Sequence, residues 1–372
     1  MRILYTNFHP GNGGGHTTYL TYLFKGVLSQ SNDIEVFIAA PKVSKLNRDL
    51  KRSYPDKVFD VDFPGKPKEI VSALSNAKKL KEIIVNHRIN ILHVNGTPDH
   101  KVVMLCKWIY RLDFRIVRTK HDSFPMKENW FANKLYSKYT DQMIVVSNYQ
   151  FEKVITQALH HKTVVIKNGI DLEYFQPREK SAELLEKFNI QDDDLVFVSV
   201  AGTALHKGWQ FLVEAASKLE NSQRQKIKIV LAGNTPNQEL VVSYIERFGM
   251  QEQVFFTGFM SDIREVVSIA DVGFVLSVSV ETISFACREM MAMGKPILVS
   301  DYAGLPENIT NNHDGWIVNA GSSIQILSAI EHIKSLDLSS FSDAATHKST
   351  QEFGLNLFLD KTLKIYKTLK CN

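Results

Sequence analysis

Arg2-Ile3-Leu4-Tyr5-Thr6-Asn7-Phe8-His9-Pro10-Gly11-Asn12-Gly13-Gly14-Gly15-His16-Thr17 runs from an apolar strand through a glycine-rich loop to a helix starting near Thr17. The apolar run is continuous rather than alternating, so both faces of this strand are to be covered. A strand delivered through a tight loop into a helix is the opening unit of a parallel sheet. The same order returns near the middle of the chain. Residues 195–201 lead through Gly202-Thr203-Ala204-Leu205-His206-Lys207-Gly208 to a helix at Trp209.

Outward from these two units, short β-branched runs alternate with helical patterns over most of the 372 residues. Residues 2–8, 35–40, 57–61, 91–95, 115–120, 143–147 and 163–167 read as strands of a first series. Residues 195–201, 228–233, 254–258, 272–277, 297–300 and 316–318 read as those of a second. Segments 67–87 and 98–112 are amphipathic crossover helices. The fold class is therefore α/β, with two doubly wound domains in tandem: residues 1–167, and residues 168–352. Residues 353–372 carry Leu357, Phe358, Leu363, Ile365, Tyr366 and Leu369 at helical spacing, as a terminal helix that packs back on the first domain. In such sheets ligands lie beyond the carboxyl ends of the strands.

Composition narrows the function. With 44% hydrophobic and 23% charged residues and no apolar run long enough to span a bilayer, the chain reads as an ordinary globular protein. The N-terminus lacks the apolar segment of a secretory signal. Cys106, Cys287 and Cys371 do not make a disulfide framework or a four-cysteine zinc site, and a cytoplasmic location is expected. The net charge of +4 hides an asymmetry: residues 1–170 hold 26 Lys and Arg against 14 Asp and Glu, and residues 171–372 hold 18 against 26. A basic first domain favours an anionic partner. No nucleic-acid recognition module accompanies it, so nucleic acid is not expected.

Three stretches could carry chemistry. Gly13-Gly14-Gly15 leaves backbone N–H groups open to an anion at a helix N-terminus, although His16 stands where a dinucleotide fingerprint has its third glycine. Lys207-Gly208 precedes a helix in the same way and would aim a point charge at phosphate. In Val280-Glu281-Thr282-Ile283-Ser284-Phe285-Ala286-Cys287-Arg288-Glu289, two carboxylates lie eight residues apart across a loop-to-helix junction. Glu281 is expected near unpaired N–H groups of residues 282–285, and Glu289 about two turns into the helix, where hydroxyls of a ribose would satisfy it. Asp60-Val61-Asp62 and Asp192-Asp193-Asp194 imitate a metal motif but sit where turn acids belong.

With these stretches in order, the chain resembles the nucleotide-sugar glycosyltransferases of the GT-B fold, specifically retaining family 4, or group 1. The resemblance extends to His121-Asp122, Ser147, Asn168-Gly169-Ile170-Asp171 and Gly304-Leu305-Pro306-Glu307. It implies two Rossmann-like domains facing across a cleft, the first binding acceptor and the second binding the nucleotide-sugar. It also implies roles: Glu289 on the ribose, Lys207 on the diphosphate, Glu281 on the transferred sugar, and His121 reaching that sugar. The glycines and the backbone of Thr282, Ile283, Ser284 and Phe285 would meet phosphate or sugar.

Two positions depart from the family pattern. Gly202 stands where members usually carry an Arg that shares the diphosphate with the Lys, and Ile283-Ser284 replaces a common Phe-Gly. The implied reaction is transfer with retention of configuration, with no cofactor and no obligatory metal. The implied acceptor is a glycan or lipid-linked anionic molecule of lipopolysaccharide or other cell-surface polysaccharide biosynthesis, with peripheral contact to the inner membrane leaflet. The alternatives are a nucleotide-sugar epimerase on the same fold and a non-catalytic nucleotide-sugar-binding subunit.

Overall fold

The computed structural model describes residues 1–11, 13–31, 33–126 and 130–370; Asn12 of the glycine loop lies outside them. The chain forms two compact units, one of residues 1–169 with 355–372, the other of residues 170–354.

The first unit is a seven-stranded sheet in the order β3-β2-β1-β4-β5-β6-β7. Its strands are β1 (Arg2–Thr6), β2 (Glu35–Ala40), β3 (Val58–Asp60), β4 (Ile91–Val94), β5 (Arg115–Lys120), β6 (Gln142–Val145) and β7 (Thr163–Val165). All pairings are parallel, with Ile3 beside Val36 on one side and Ile91 on the other. Ile3, Leu4, Tyr5, Val36, Leu92 and Val117 are fully or almost fully buried, as strands covered on both faces require. The helix Leu355–Lys370 belongs to this unit and lies against the helix Gly15–Gln30. Gly26 permits the approach, since a Cβ there would stand 2.4 Å from Leu359 Cδ1.

The second unit holds β8 (Leu195–Ser199), β9 (Ile227–Leu231), β10 (Val254–Phe256), β11 (Val272–Val275), β12 (Ile297–Ser300) and β13 (Gly315–Val318). Their order is β10-β9-β8-β11-β12-β13, again parallel throughout. Its larger core gathers Phe197, Trp209, Leu212, Ile229, Phe274 and Trp316.

In each sheet the strand order reverses once, between β1 and β4 and between β8 and β11, which is where an open α/β sheet forms its ligand crevice. Most strands end one or two residues before the sequence reading places their ends. The chain leaves the ladder early to build loops there: after β8, the Ala201 N–H turns to the Ser199 hydroxyl and Gly202 adopts φ 92°.

Candidate functional site

The reversal point of the second unit brings Lys207 and Glu281 together, although 74 residues separate them. Lys207 ends a 3-10 turn, Leu205–Lys207, and its Nζ lies 2.9 Å from Glu281 Oε2. Two backbone features hold the turn. Val278 N–H donates to the His206 carbonyl at 2.9 Å, tying the turn to the loop after β11. Gly208 has φ 77°, and a Cβ there would sit 1.9 Å from the Leu276 carbonyl oxygen, so no other residue allows this approach. The side chains of Lys207 and Glu281 are only 19% and 11% exposed, which strengthens their attraction over that of a surface pair.

Glu281 has further partners. The Thr282 N–H donates to its Oε1 at 3.2 Å and the Ser277 hydroxyl to its Oε2 at 3.4 Å. The Thr282 N–H is therefore not the unpaired donor that the sequence suggests; it is used to orient the carboxylate. An ammonium group has three donors, so Lys207 can keep Glu281 and still meet an anionic ligand.

The helix Phe285–Ala292 begins one residue after Ser284, which places Glu289 one turn into it rather than two. Ser284 has φ 56°, a left-handed conformation that favours glycine, and its hydroxyl accepts from the Cys287 N–H as N-cap. Serine at this position is thus strained and useful at once. Ser284→Gly is expected to stabilise the unit by about 0.5 kcal/mol, because glycine relieves the strain and replaces a serine cap at small cost. Ser284→Ala keeps the strain and loses the cap, and should cost about 1 kcal/mol; urea denaturation of both variants checks the opposite signs.

The loop is braced from behind. Asn308 donates to the carbonyls of Ile283 and Leu305 at 2.7 and 3.0 Å and accepts from Arg288 Nε at 2.9 Å. Arg288 is fully buried, with its guanidinium 4.5 Å from the Phe353 ring centre. The Gly304 N–H donates to the Thr282 carbonyl at 2.9 Å. The Gly304-Leu305-Pro306-Glu307 stretch therefore helps shape the loop that carries Thr282, Ile283 and Ser284. Glu289 keeps some exposed surface, but the protein packed around its carboxyl pushes its pKa up to about 7. A carboxyl in this condition is poised to gain from hydroxyl donors. Gly202 has open space beyond its Cα: a Cβ there would meet no atom within 4 Å, and the residue brings no charge to the site.

In the first unit, Gly13 and Gly14 adopt φ 145° and 106°, and the helix starts at Gly15, two residues earlier than the sequence reading puts it. No side chain caps that helix at Gly14. His16, on its first turn, lies against His121, with ring centres 4.4 Å apart. His121 follows β5 in a loop held by Gln150, whose amide donates to the carbonyls of Lys120 and Asp122 at 3.0 and 2.9 Å. Ser147 contributes by capping the helix Asn148–Lys153 at the Gln150 N–H. Burial and neighbouring positive groups keep the His121 imidazole well below its ordinary pKa.

Gly13, Gly14, Gly15 and His121 thus lie in one unit, and Lys207, Glu281, Thr282, Ile283, Ser284, Phe285 and Glu289 in the other. Asn95, which bonds His121, escapes the sequence reading. Its one signal is its place: the first residue after β4, as His121 is the first after β5. Three of the five aspartates in the two metal-like motifs have other partners. Asp60 takes Asn47 and Lys51, Asp193 takes Lys226, and Asp194 accepts from the Gln191 N–H.

Residues 13–174 match the model of Glycosyltransferase Family 4, and residues 180–348 that of Glycosyl transferases group 1. The chain belongs to the family 4, group 1 glycosyltransferases. It is 26% identical over 364 residues to the N,N'-diacetylbacillosaminyl-diphospho-undecaprenol alpha-1,3-N-acetylgalactosaminyltransferase of Campylobacter jejuni, covering 92% of this chain and 93% of that one. Among solved structures, a glycosyltransferase from Rickettsia africae ESF-5 is similar at a TM-score of 0.86 with 22% identity, covering 100% of this chain and 99% of that one. Anabaena Alr3699/HepE in complex with UDP is similar at 0.79 with 18% identity, covering 99% and 100%. These likenesses give the glycosyltransferase its fold: two parallel-sheet α/β domains of the GT-B type.

Proposed function

We propose that this glycosyltransferase moves a sugar from a nucleoside diphosphate to a lipid-linked or otherwise anionic glycan acceptor, with retention of configuration and without an obligatory metal. The observation that carries the proposal is the Lys207–Glu281 pair at the reversal point of the second unit, with Glu289 one turn into the adjoining helix. In this reading the second unit binds the nucleotide-sugar and the first binds the acceptor. Lys207 stabilises the departing diphosphate, Glu281 orients Lys207 and meets the transferred sugar, and Glu289 takes the ribose hydroxyls. The backbone at residues 282–285 and the loop at residues 13–15 would meet sugar or phosphate, and His121 the sugar. The difficult step is separation of charge at the leaving oxygen, which a fixed ammonium and preorganised N–H groups ease in the transition state.

Two comparisons support the choice of ligands. The HepE structure contains UDP, and the Campylobacter jejuni relative is named for a diphospho-undecaprenol acceptor. The first unit adds a surface suited to such an acceptor. On the neighbouring helices Ile70–Asn86 and Thr97–Tyr110, Val71 and Trp108 are 77% and 67% exposed, with Lys78, Lys79, Lys101 and Arg111 also at the surface. Exposed apolar side chains among lysines suit the anionic leaflet that carries lipid-linked sugars. None of the described helices is long and apolar enough to cross a membrane. Polysaccharide or lipopolysaccharide assembly on the cytoplasmic face is the corresponding setting.

Transfer is tested with UDP-sugars and a polyprenyl-diphosphate-linked sugar, reading the product's anomeric configuration by NMR. Retention at a rate unchanged by EDTA is expected; inversion, or loss of activity with EDTA, would refute the corresponding part of the proposal. Flotation with vesicles should require anionic lipid, and Trp108→Ser should weaken it. Equal flotation with neutral vesicles would remove the electrostatic part of the membrane contact.

A further inference from the structure

We propose that Asn95 is the positioning residue of His121 and fixes it as the neutral imidazole protonated on Nε2. The inference rests on the reading of His121 as a sugar contact, and it specifies the form in which that contact is made.

The Asn95 amide has one orientation. Its Nδ2 lies 3.1 Å from the Thr6 carbonyl oxygen and 3.2 Å from that of His93. Both partners only accept, so the NH2 group must face them; turning the amide over would set Oδ1 against two carbonyl oxygens. Oδ1 therefore points the other way, to His121 Nε2 at 2.9 Å. Oδ1 is an acceptor, and Nε2 must carry the hydrogen. The Asn95 backbone is fixed in turn, since Asp99 Oδ2 accepts both its N–H at 2.8 Å and the Thr6 hydroxyl at 2.6 Å.

The ring plane is held from the helix Gly15–Gln30. His16 and Tyr19 lie 4.4 and 4.6 Å from His121 between ring centres. Tyr19 is anchored through its hydroxyl to Thr119 at 3.0 Å, Thr119 to His93 Nε2 at 2.7 Å, and His93 Nδ1 to Tyr366 of the terminal helix at 2.6 Å. A second proton on His121 is opposed first by burial, and then by the charges of Lys120 and Arg118.

The consequence is chemical. A neutral ring with its hydrogen on Nε2 carries its lone pair on Nδ1, so in this form any contact that His121 makes through Nδ1 is made as an acceptor. It brings no positive charge to the diphosphate, and it does not replace the cation absent at Gly202.

The test is a long-range proton–nitrogen correlation spectrum of the full-length protein labelled with nitrogen-15 histidine, from pH 5 to 8. The His121 signal is identified by its loss in His121→Gln. The neutral Nε2–H form is expected throughout; the Nδ1–H form, or an imidazolium appearing near pH 6.5, would overturn the proposal. Asn95→Ala should give mixed tautomers and lower kcat by about tenfold or more with the donor KM within about twofold. A lower kcat with the tautomer unchanged would make Asn95 merely structural and overturn its role. The wild-type spectrum decides the tautomer even where Asn95→Ala does not fold. Turnover retained in His121→Gln would sink the sugar-contact reading while leaving the tautomer result standing.

Discussion

Replacing Lys207 by Ala should lower kcat/KM for the nucleotide-sugar by about 100- to 1,000-fold, the usual cost of removing a group that meets developing charge in the transition state. The variant also strips Glu281 of the cation 2.9 Å away in a site where both side chains are mostly buried. Some stability is lost with it, because a buried carboxylate without its partner is costly. The double variant Lys207→Ala/Glu281→Gln separates the two effects. Its neutral amide needs no counter-ion, so thermal stability should recover while activity does not. Recovery of activity in the double variant would mean that Lys207 serves only to neutralise Glu281. Lys207→Arg keeps the charge but changes its reach and donor geometry, and should recover only part of the rate.

The second large effect is at Glu289. Glu289→Ala should abolish use of the donor while leaving the fold intact, and Glu289→Gln should weaken UDP-sugar binding by about 10- to 100-fold, as expected for lost hydrogen bonds to a charged group. The pH dependence gives this prediction its sign. Burial raises the carboxyl to about 7, so below pH 7 the group is mostly protonated and a poor acceptor for two ribose hydroxyls. Donor affinity should therefore rise as pH passes upward through about 7, with release of a proton on binding, and Glu289→Gln should flatten the profile. A UDP-sugar is the right probe because its diphosphate does not titrate in this range. Stability without ligand runs the other way. A carboxyl whose pKa is higher in the folded than in the unfolded state favours folding at low pH and loses that contribution as pH rises from about 4.5 to 7. At pH 8, Glu289→Gln should be more stable than the parent chain, measured by urea denaturation.

Some of this molecule is legible in its sequence for a definite reason. Strands such as Ile297–Ser300 are buried on both faces, so their apolar runs are unbroken and stand out from the amphipathic helices between them. The terminal helix is legible because Phe358, Leu363 and Tyr366 recur at helical spacing and are buried in the same unit. Glu281 and Glu289 are visible as a pair because one loop-to-helix junction carries both. What escapes is whatever depends on distant parts of the chain. Nothing local to Lys207 announces an ion pair with Glu281, since the contact follows from β8 and β11 lying side by side. Asn95 reads as an ordinary turn residue until the Thr6 and His93 carbonyls arrive beside it. The start of the helix at Phe285 is hidden because Ser284 adopts a left-handed backbone that its residue type does not advertise.

In this assignment the second unit is a nucleotide-sugar site built on Lys207, Glu281 and Glu289. Thermal unfolding with UDP, GDP, ADP and CMP, and with their sugar conjugates, tests it most directly, because a ligand at 100 times its Kd adds about 2.7 kcal/mol to the folded state. A rise of several degrees is expected with one base, larger for its sugar conjugate, and clearly smaller in both Lys207→Ala/Glu281→Gln and Glu289→Gln. No rise with any nucleotide, or the same rise in the variants as in the parent, would contradict it.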